Sequence, residues 1–287
     1  MIAANACKAR KRAIGRVFYN LFLILFGVVF LYPFIWLILG CFKSNTEIFS
    51  SSLALPTSFN FDAFVEGWHG IGQYGYDTYF KNTFAVVIPV VLATLASALL
   101  VAYGFARFNF KCKKICFVLM ISTMMLPSSV VLIPRYMMFN SFGWVDTYLP
   151  LIVPTIFGGG PFFIYMLLQF IRGLPVELDE AAKVDGCNSF FTLVRILAPL
   201  CVPALFSAGV FQFIWTWNDF FNQLIYVNSV SKYTISLGLR MTLDATANIQ
   251  WNQIFAMSLV SMIPPIIIFF IAQKYLMDGI ATSGLKN

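Results

Sequence analysis

The sequence predicts an all-α integral membrane protein with six transmembrane helices. Of its 287 residues, 60% are hydrophobic and only 11% charged, whereas soluble domains carry about 25% charged residues and so have the polar surface this chain lacks. Six apolar stretches, at 17–42, 81–106, 115–138, 148–172, 200–227 and 252–276, each meet the roughly 20 helical residues a bilayer crossing needs. The segments between them are short and polar. The chain therefore divides into an N-terminal segment 1–16, a transmembrane domain 17–276 and a tail 277–287, with no room for a second soluble domain.

The first stretch follows Lys8, Arg10, Lys11, Arg12 and Arg16, the flank of a secretory signal. It is longer than a signal's apolar core of about 7–15 residues, and no small-residue cleavage site follows, so it is expected to stay as helix 1.

The net charge of +7 could suggest nucleic acid, but its distribution argues for a lipid bilayer and no nucleic acid. With the N-terminus inside, the inner segments hold the five basic residues above and Arg107, Lys111, Lys113, Lys114, Arg172, Lys183, Arg195, Lys274 and Lys286. The outer side or its helix ends hold only Lys43, Lys81, Arg135, Lys232 and Arg240. This is the positive-inside bias, and it predicts both termini in the cytoplasm of a multi-pass protein.

Of the six cysteines, Cys7, Cys112, Cys116 and Cys187 fall on the inner side, where thiols stay reduced. Cys41 and Cys201 sit at helix ends. Cys112 and Cys116 have no His or Cys partners nearby in sequence, so structural roles are expected, with no metal and no cofactor.

After helix 1 the outer segment 43–80 mixes Ser, Gly, Asn and aromatic residues with Glu47, Asp62, Glu66 and Asp77. It is too short for an enzyme domain and long enough for a docking cap. His69, the single histidine, is read as ordinary surface.

Helices 3 and 4 carry breakers: Pro127 and Pro134 in the first, Gly158, Gly159, Gly160 and Pro161 in the second. Backbone freed by such breaks needs neighbouring protein or a wet cavity. They read either as packing kinks or as hinges beside a translocation pathway.

In helix 5, Gln212, Trp215, Thr216, Asp219, Asn222, Gln223 and Tyr226 recur at three- and four-residue steps. On a continuous helix they share one polar-aromatic face. Asp219 is the one charged residue deep within a predicted span, so it should face protein or water. Rings that stack on pyranose faces, beside amide and carboxylate groups that bond hydroxyls, suit a sugar pathway. A helix–helix contact glued by polar side chains is the competing reading.

The inner segment 172–203 reads as structured. Pro175 suits a first helical turn, and Glu177, Asp179 and Glu180 cluster where the helix dipole favours anions. Ala181 and Ala182 offer a closely approachable surface, and Gly186 can supply a left-handed stop. A second short helix then starts near Asn188 or Ser189 and exposes Phe190, Phe191 and Val194, before Pro199 and Pro203 lead into helix 5. Such a loop is a docking element or an amphipathic segment lying on the bilayer.

Here the residues carry a resemblance. Glu180-Ala181-Ala182, Gly186, Ile196 and Pro199 resemble, in identity and spacing, the signature loop of binding-protein-dependent ABC importer permeases. Ala198 departs from the usual leucine. Phe42-Lys43-Ser44 with Glu47-Ile48-Phe49, the run from Ala102-Tyr103-Gly104-Phe105 to Ala106-Arg107, the segment bounded by Pro127 and Pro134, and Trp217-Asn218-Asp219-Phe220 are similar to the carbohydrate subgroup typified by the smaller maltose-system permease. So is the tail, from Asp278-Gly279-Ile280 to Ser283-Gly284.

The resemblance implies a type I ABC importer permease fold and no catalytic residues in this chain, which has no phosphate-cradling G-x-x-x-x-G-K-[ST] loop. It implies a dimer of cytoplasmic ATPase subunits, a second homologous permease subunit and an extracytoplasmic sugar-binding protein. Glu177, Glu180, Ala181, Ala182, Asp185, Gly186, Ile196 and Pro199 would form the ATPase-coupling loop. Gln212, Trp215, Asp219, Asn222, Gln223 and Tyr226 would line the pathway of a sugar, expected to be an oligosaccharide, moved by alternating access. Two other classes compete: an ion-coupled secondary transporter, for which Asp219 alone is a thin basis, and a non-transporting membrane scaffold, which leaves the polar stripe unexplained.

Overall fold

A computed structural model describes residues 2–50, 55–70, 73–158, 160–244 and 249–284. Side chains are described from residue 15 to 273 within these ranges, apart from Val17 and Asp244. All regular structure there is helical, and the chain forms two compact units, residues 1–69 with 246–260, and 70–245 with 261–287.

The first unit opens with α1 (Ile2–Gly40). This helix begins well before the expected residue 17 because the preceding Ala, Lys and Arg residues are strong helix formers, no Pro interrupts them, and the single Gly15 is tolerated within the helix. Next come α2 (Asn45–Ser50) and α3 (Asp62–His69). Ser44 and Glu47 form a capping box: Glu47 Oε2 accepts from the Ser44 amide at 2.8 Å, and the Glu47 amide donates to Ser44 Oγ at 3.4 Å. The Thr57 hydroxyl, 2.5 Å from Glu47 Oε1, and then the Ser44 donors bring the Glu47 carboxyl down to about 2. Asn45 ties α2 to the later part of the same unit, donating to Ile249 O at 2.7 Å and accepting from the Trp251 amide at 3.0 Å.

The second unit is built on α4 (Tyr76–Arg107). Around it run α5 (Lys113–Met124), α6 (Ser128–Ser141), α7 (Leu149–Ile156) and α8 (Pro161–Arg172). They are followed by α9 (Glu177–Val184), α10 (Ser189–Thr192), a π turn over Leu193–Leu197, α11 (Ala198–Leu200) and α12 (Val202–Trp217). The last are α13 (Phe221–Tyr226), α14 (Ile235–Asp244) and α15 (Trp251–Gly284), which gives its first ten residues to the other unit. The core packs Ala98 and Ala102 of α4 against Leu167, Leu168 and Ile171 of α8, with Leu193, Leu197, Cys201 and Ala208 closing it. Small residues let these backbones approach closely, as in other membrane helix pairs. Ser97 Oγ also donates to Thr155 O at 2.7 Å, fixing α7 on α4.

Four spans in the described residues are long and apolar enough to cross a bilayer: Phe18–Gly40, Tyr76–Arg107, Leu149–Arg172 and Trp251–Gln273. Two bent pairs raise the number to as many as six, if each counts as one crossing. The fold is therefore an all-α, multi-pass membrane fold. Helix 3, expected over 115–138 with breakers at Pro127 and Pro134, is sharply bent, and α5 and α6 meet at 102°. Pro127 stands at the head of α6 and marks the bend, whereas Pro134 lies within α6 without breaking it. In helix 4, Gly158 (φ +141°) and Gly160 (φ +93°) separate α7 from α8 in backbone conformations that only glycine adopts readily; Gly159 lies outside the described residues.

Helix 5 is divided twice. The segments Ser189–Leu200 and Val202–Trp217 bend by 80° around Cys201, where Pro199 and Pro203 remove helical donors. A second break at 218–220 separates α12 from α13. There Asn218 Nδ2 donates back to Ile214 O at 2.9 Å, and the Asp219 carboxylate accepts from the Asn222 amide at 3.2 Å. Side chains of this kind compete with the backbone for its own bonds. At the C-terminus α15 continues helically to Gly284 through most of the expected tail, and 285–287 lie outside the described residues.

Candidate functional site

A cavity of about 210 Å³ opens in the second unit between α4, α6, α7, α12 and α13. Its apolar wall is Val86, Val90, Pro150, Leu151 and Pro154. Its polar wall is Arg135, Thr155, Gln212, Thr216, Asp219, Asn222, Gln223 and Tyr226. The expected stripe thus reaches one cavity despite the break between α12 and α13, with one exception. Trp215 turns away and packs on Phe162 and Phe163, with ring centroids 5.1 and 5.2 Å distant.

The polar wall is held by three groups of hydrogen bonds. Arg135 donates from Nε to Tyr226 Oη at 3.0 Å and from Nη2 to Asn222 Oδ1 at 2.8 Å. Asn222 Nδ2 in turn donates to Asp219 Oδ1 and Oδ2 at 3.1 and 3.0 Å. Gln212 Nε2 donates to Thr216 Oγ1 at 2.9 Å, and buried Gln223 accepts from the Thr234 hydroxyl. Read from sequence, Arg135 counts only toward the charge balance. The signal that could have found it is a guanidinium inside a predicted span, which must face protein or water.

Behind Tyr226 a polar knot fixes the chain. The Asp146 amide donates to Tyr226 O at 2.7 Å. The Asp146 carboxylate accepts from the amides of Asn228 and Ser229 at 3.0 and 2.8 Å, from Ser229 Oγ at 2.5 Å, and pairs with Lys232 Nζ at 3.0 Å. The Ser229 hydroxyl, then its amide, hold this carboxyl well below the usual aspartate range. Asp146 has φ +62°, a left-handed backbone that an aspartate tolerates.

The loop expected to couple to an ATPase is a separate surface. Pro175 precedes α9 and is not in its first turn, since the helix starts at Glu177 after a Val176 N-cap. Gly186 has φ +78° and ends the segment as a left-handed stop. Asn188 caps α10 by accepting from the Phe191 amide at 2.8 Å. Glu177, Glu180, Ala181, Asp185, Gly186 and Pro199 are exposed, Ile196 is half-buried and Ala182 is buried. Val184 is 88% exposed and Phe190 65%, an apolar tip left open among the described residues. The base of α9 is fixed by Arg107 Nε, which pairs with Asp179 Oδ2 at 2.8 Å, and by Arg107 Nη2 donating to Leu174 O at 3.0 Å.

Residues 95–281 match the family described as binding-protein-dependent transport system inner membrane component. The chain is 34% identical over 278 residues to the "Probable ABC transporter permease protein YurM" of Bacillus subtilis strain 168, covering 97% of this chain and 91% of that protein. It is 30% identical to the arabinooligosaccharides transport system permease protein AraQ of the same strain, covering 96% and 97%. It is also 28% identical to the trehalose/maltose transport system permease protein MalG of Thermococcus litoralis, covering 97% and 99%. A chain of a solved bacterial ABC transporter involved in the import of the acidic polysaccharide alginate superposes with a TM-score of 0.81 at 21% identity, covering 93% of this chain and 98% of that one, a likeness of fold. Motif spacing, helical architecture and near-full-length similarity agree: the chain belongs to the binding-protein-dependent transport system inner membrane component family of ABC transporter permeases.

Proposed function

We propose that this chain is one permease subunit of an ATP-driven importer that moves an oligosaccharide across the bacterial cell membrane by alternating access. It crosses the membrane six times with both termini in the cytoplasm. A second homologous permease completes the pathway, a dimer of cytoplasmic ATPases drives it, and an extracytoplasmic binding protein delivers the sugar. The relatives named for arabinooligosaccharide and trehalose/maltose transport support the substrate class.

The observation that carries the coupling role is how α9 is presented. Its base is held to the end of the long α4 by the Arg107–Asp179 pair, while its free end exposes Val184 and the Gly186 turn. Glu177, Glu180, Ala181, Ala182, Asp185 and Gly186 form the coupling surface, with Ile196 and Pro199 behind it. Movement of a docked ATPase would then pass into α4, which also walls the polar cavity. Gln212, Asp219, Asn222, Gln223 and Tyr226 line the sugar pathway there, and Trp215 packs α12 against Phe162 and Phe163 beside it.

The test is ATP hydrolysis by the purified, reconstituted complex with its binding protein across a panel of neutral and acidic oligosaccharides. Stimulation by one loaded sugar, abolished by G186V, is the expected result. Hydrolysis indifferent to every sugar, or a chain that never copurifies with an ATPase, would remove the proposal.

A further inference from the structure

The cavity is not chemically symmetrical, and its charged groups differ in how far they are used. On Arg135, Nε and Nη2 form one edge of the guanidinium, and both bond to α13, at Tyr226 Oη and Asn222 Oδ1. The other edge, Nη1 with the outer N–H of Nη2, has no partner among the described residues, and Arg135 lines the cavity. On Asp219, Oδ1 accepts two bonds from Asn222, whereas Oδ2 accepts one. A carboxylate oxygen has two lone-pair directions, so Oδ2 keeps one acceptor position. A spare donor edge and a spare acceptor thus flank one amide in one small chamber.

The geometry points to Arg135 as a substrate-contacting, specificity-determining residue that works with Asp219 to read adjacent hydroxyls on one ring of a neutral sugar. This deepens the importer reading above and rests on it. One hydroxyl of a vicinal pair accepts from the free Arg135 edge, while its neighbour donates to Asp219 Oδ2. Tyr226 and Asn222 hold the guanidinium in place, so little side-chain freedom remains to be lost on binding. A sugar acid satisfies Arg135 equally well, through a fork-to-fork pair. It would, however, place a second carboxylate beside Asp219, and like charges in a site of low polarity disfavour each other. The cavity's roughly 210 Å³ lies below the about 300–1,000 Å³ of pockets for drug-sized ligands, which limits the contact to a single ring of a longer chain.

The test uses the whole complex in proteoliposomes with its binding protein, and three labelled probes: maltotriose, arabinotriose and a trisaccharide of uronic acids. The wild-type complex is expected to take up a neutral probe in preference to the uronate. R135M should raise the KM for that neutral probe by about tenfold to a hundredfold, as loss of hydrogen bonds to a charged group implies, and by more than it lowers kcat. R135K keeps the charge without the fork and should fall between the two. D219N, nearly isosteric, should shift the uptake ratio toward the uronate by removing the opposing charge. Gel filtration confirms that each variant assembles.

Preference of the wild type for the uronate overturns the neutral-sugar assignment and leaves the importer reading standing. An unchanged KM in assembled R135M and an unchanged uptake ratio in D219N reduce both residues to packing. A complex that hydrolyses ATP and takes up none of the probes removes the sugar-importer reading, and this inference with it.

Discussion

Arg107 Nε lies 2.8 Å from Asp179 Oδ2, with both side chains largely shielded, and so ties the last turn of α4 to the first turn of α9. Truncating one member of a buried pair leaves the other charge unmatched, at a cost of about 3–5 kcal/mol when burial is complete and about 2–4 kcal/mol with the residual solvent contact here. D179A and R107A are therefore expected to lower the thermal unfolding midpoint and to reduce sugar transported per ATP hydrolysed. The double variant R107M/D179L should recover much of the stability, because an apolar pair leaves no orphaned charge, while remaining poorly coupled. Thermal denaturation in detergent, beside paired uptake and phosphate-release assays, separates the two effects.

Gly186 stands at φ +78°, and a Cβ built there meets nothing within 4 Å. The cost of a side chain is thus backbone strain, about 1–2 kcal/mol in the left-handed region, and not a clash. G186V should leave the fold and the assembled complex intact while reorienting the tip at Val184. It is expected to raise ATP hydrolysis that moves no sugar, and normal transport per ATP in this variant would refute the role of the turn.

Gly238 and Gly104 make opposite predictions from the same residue type. A Cβ at Gly238 would sit 2.4 Å from Cδ2 of the buried Tyr79 ring, whereas at Gly104 it would meet nothing within 4 Å. G238A should destabilise by about 1–3 kcal/mol, the usual range for overpacking. G104A, in the interior of α4, should stabilise by about 0.5–1 kcal/mol through helix propensity alone. Unfolding midpoints of the two variants, measured side by side, should move in opposite directions.

Asp146 links pH to the segment 226–232. Its carboxyl is held below the ordinary aspartate value by the donors of Ser229 and by Lys232, so its ionised form is favoured in the fold. The stabilisation is fully present above about pH 4, the value for an unfolded chain, and is lost as pH falls through the depressed folded value. D146N should remove that acid-side dependence and lower stability at neutral pH. Unfolding midpoints of wild type and variant should therefore converge as the medium is acidified, and parallel curves would exclude Asp146 as the source.

How much of this was legible in the sequence differed by residue. The long apolar helices were visible because hydropathy sums over twenty or more positions and no local contact overrides it. The φ of Gly186 and the cap at Asn188 followed from residue types with narrow backbone preferences. The break at 218–220 was not visible, because it depends on Asn218 and Asp219 bonding to nearby backbone in a segment whose polar residues keep a helical period on both sides of it. Trp215 followed the helical period and yet left the cavity, because Phe162 and Phe163 offered it a ring face from another element. Arg135 was hidden by its own bookkeeping role as an orientation charge. Only the tertiary placement of α6 beside α13 brought it to Asn222.

Asp219 accepts the Asn222 amide at the head of α13 with the same carboxylate that faces the cavity. Ligand chemistry and local folding therefore share one side chain, and a campaign to retune the transported cargo by randomising this position would mostly recover molecules that fail to fold. Gln212, which donates to Thr216 on its own helix, carries no such double duty. Laboratory diversification of cargo should begin there and reach the carboxylate last.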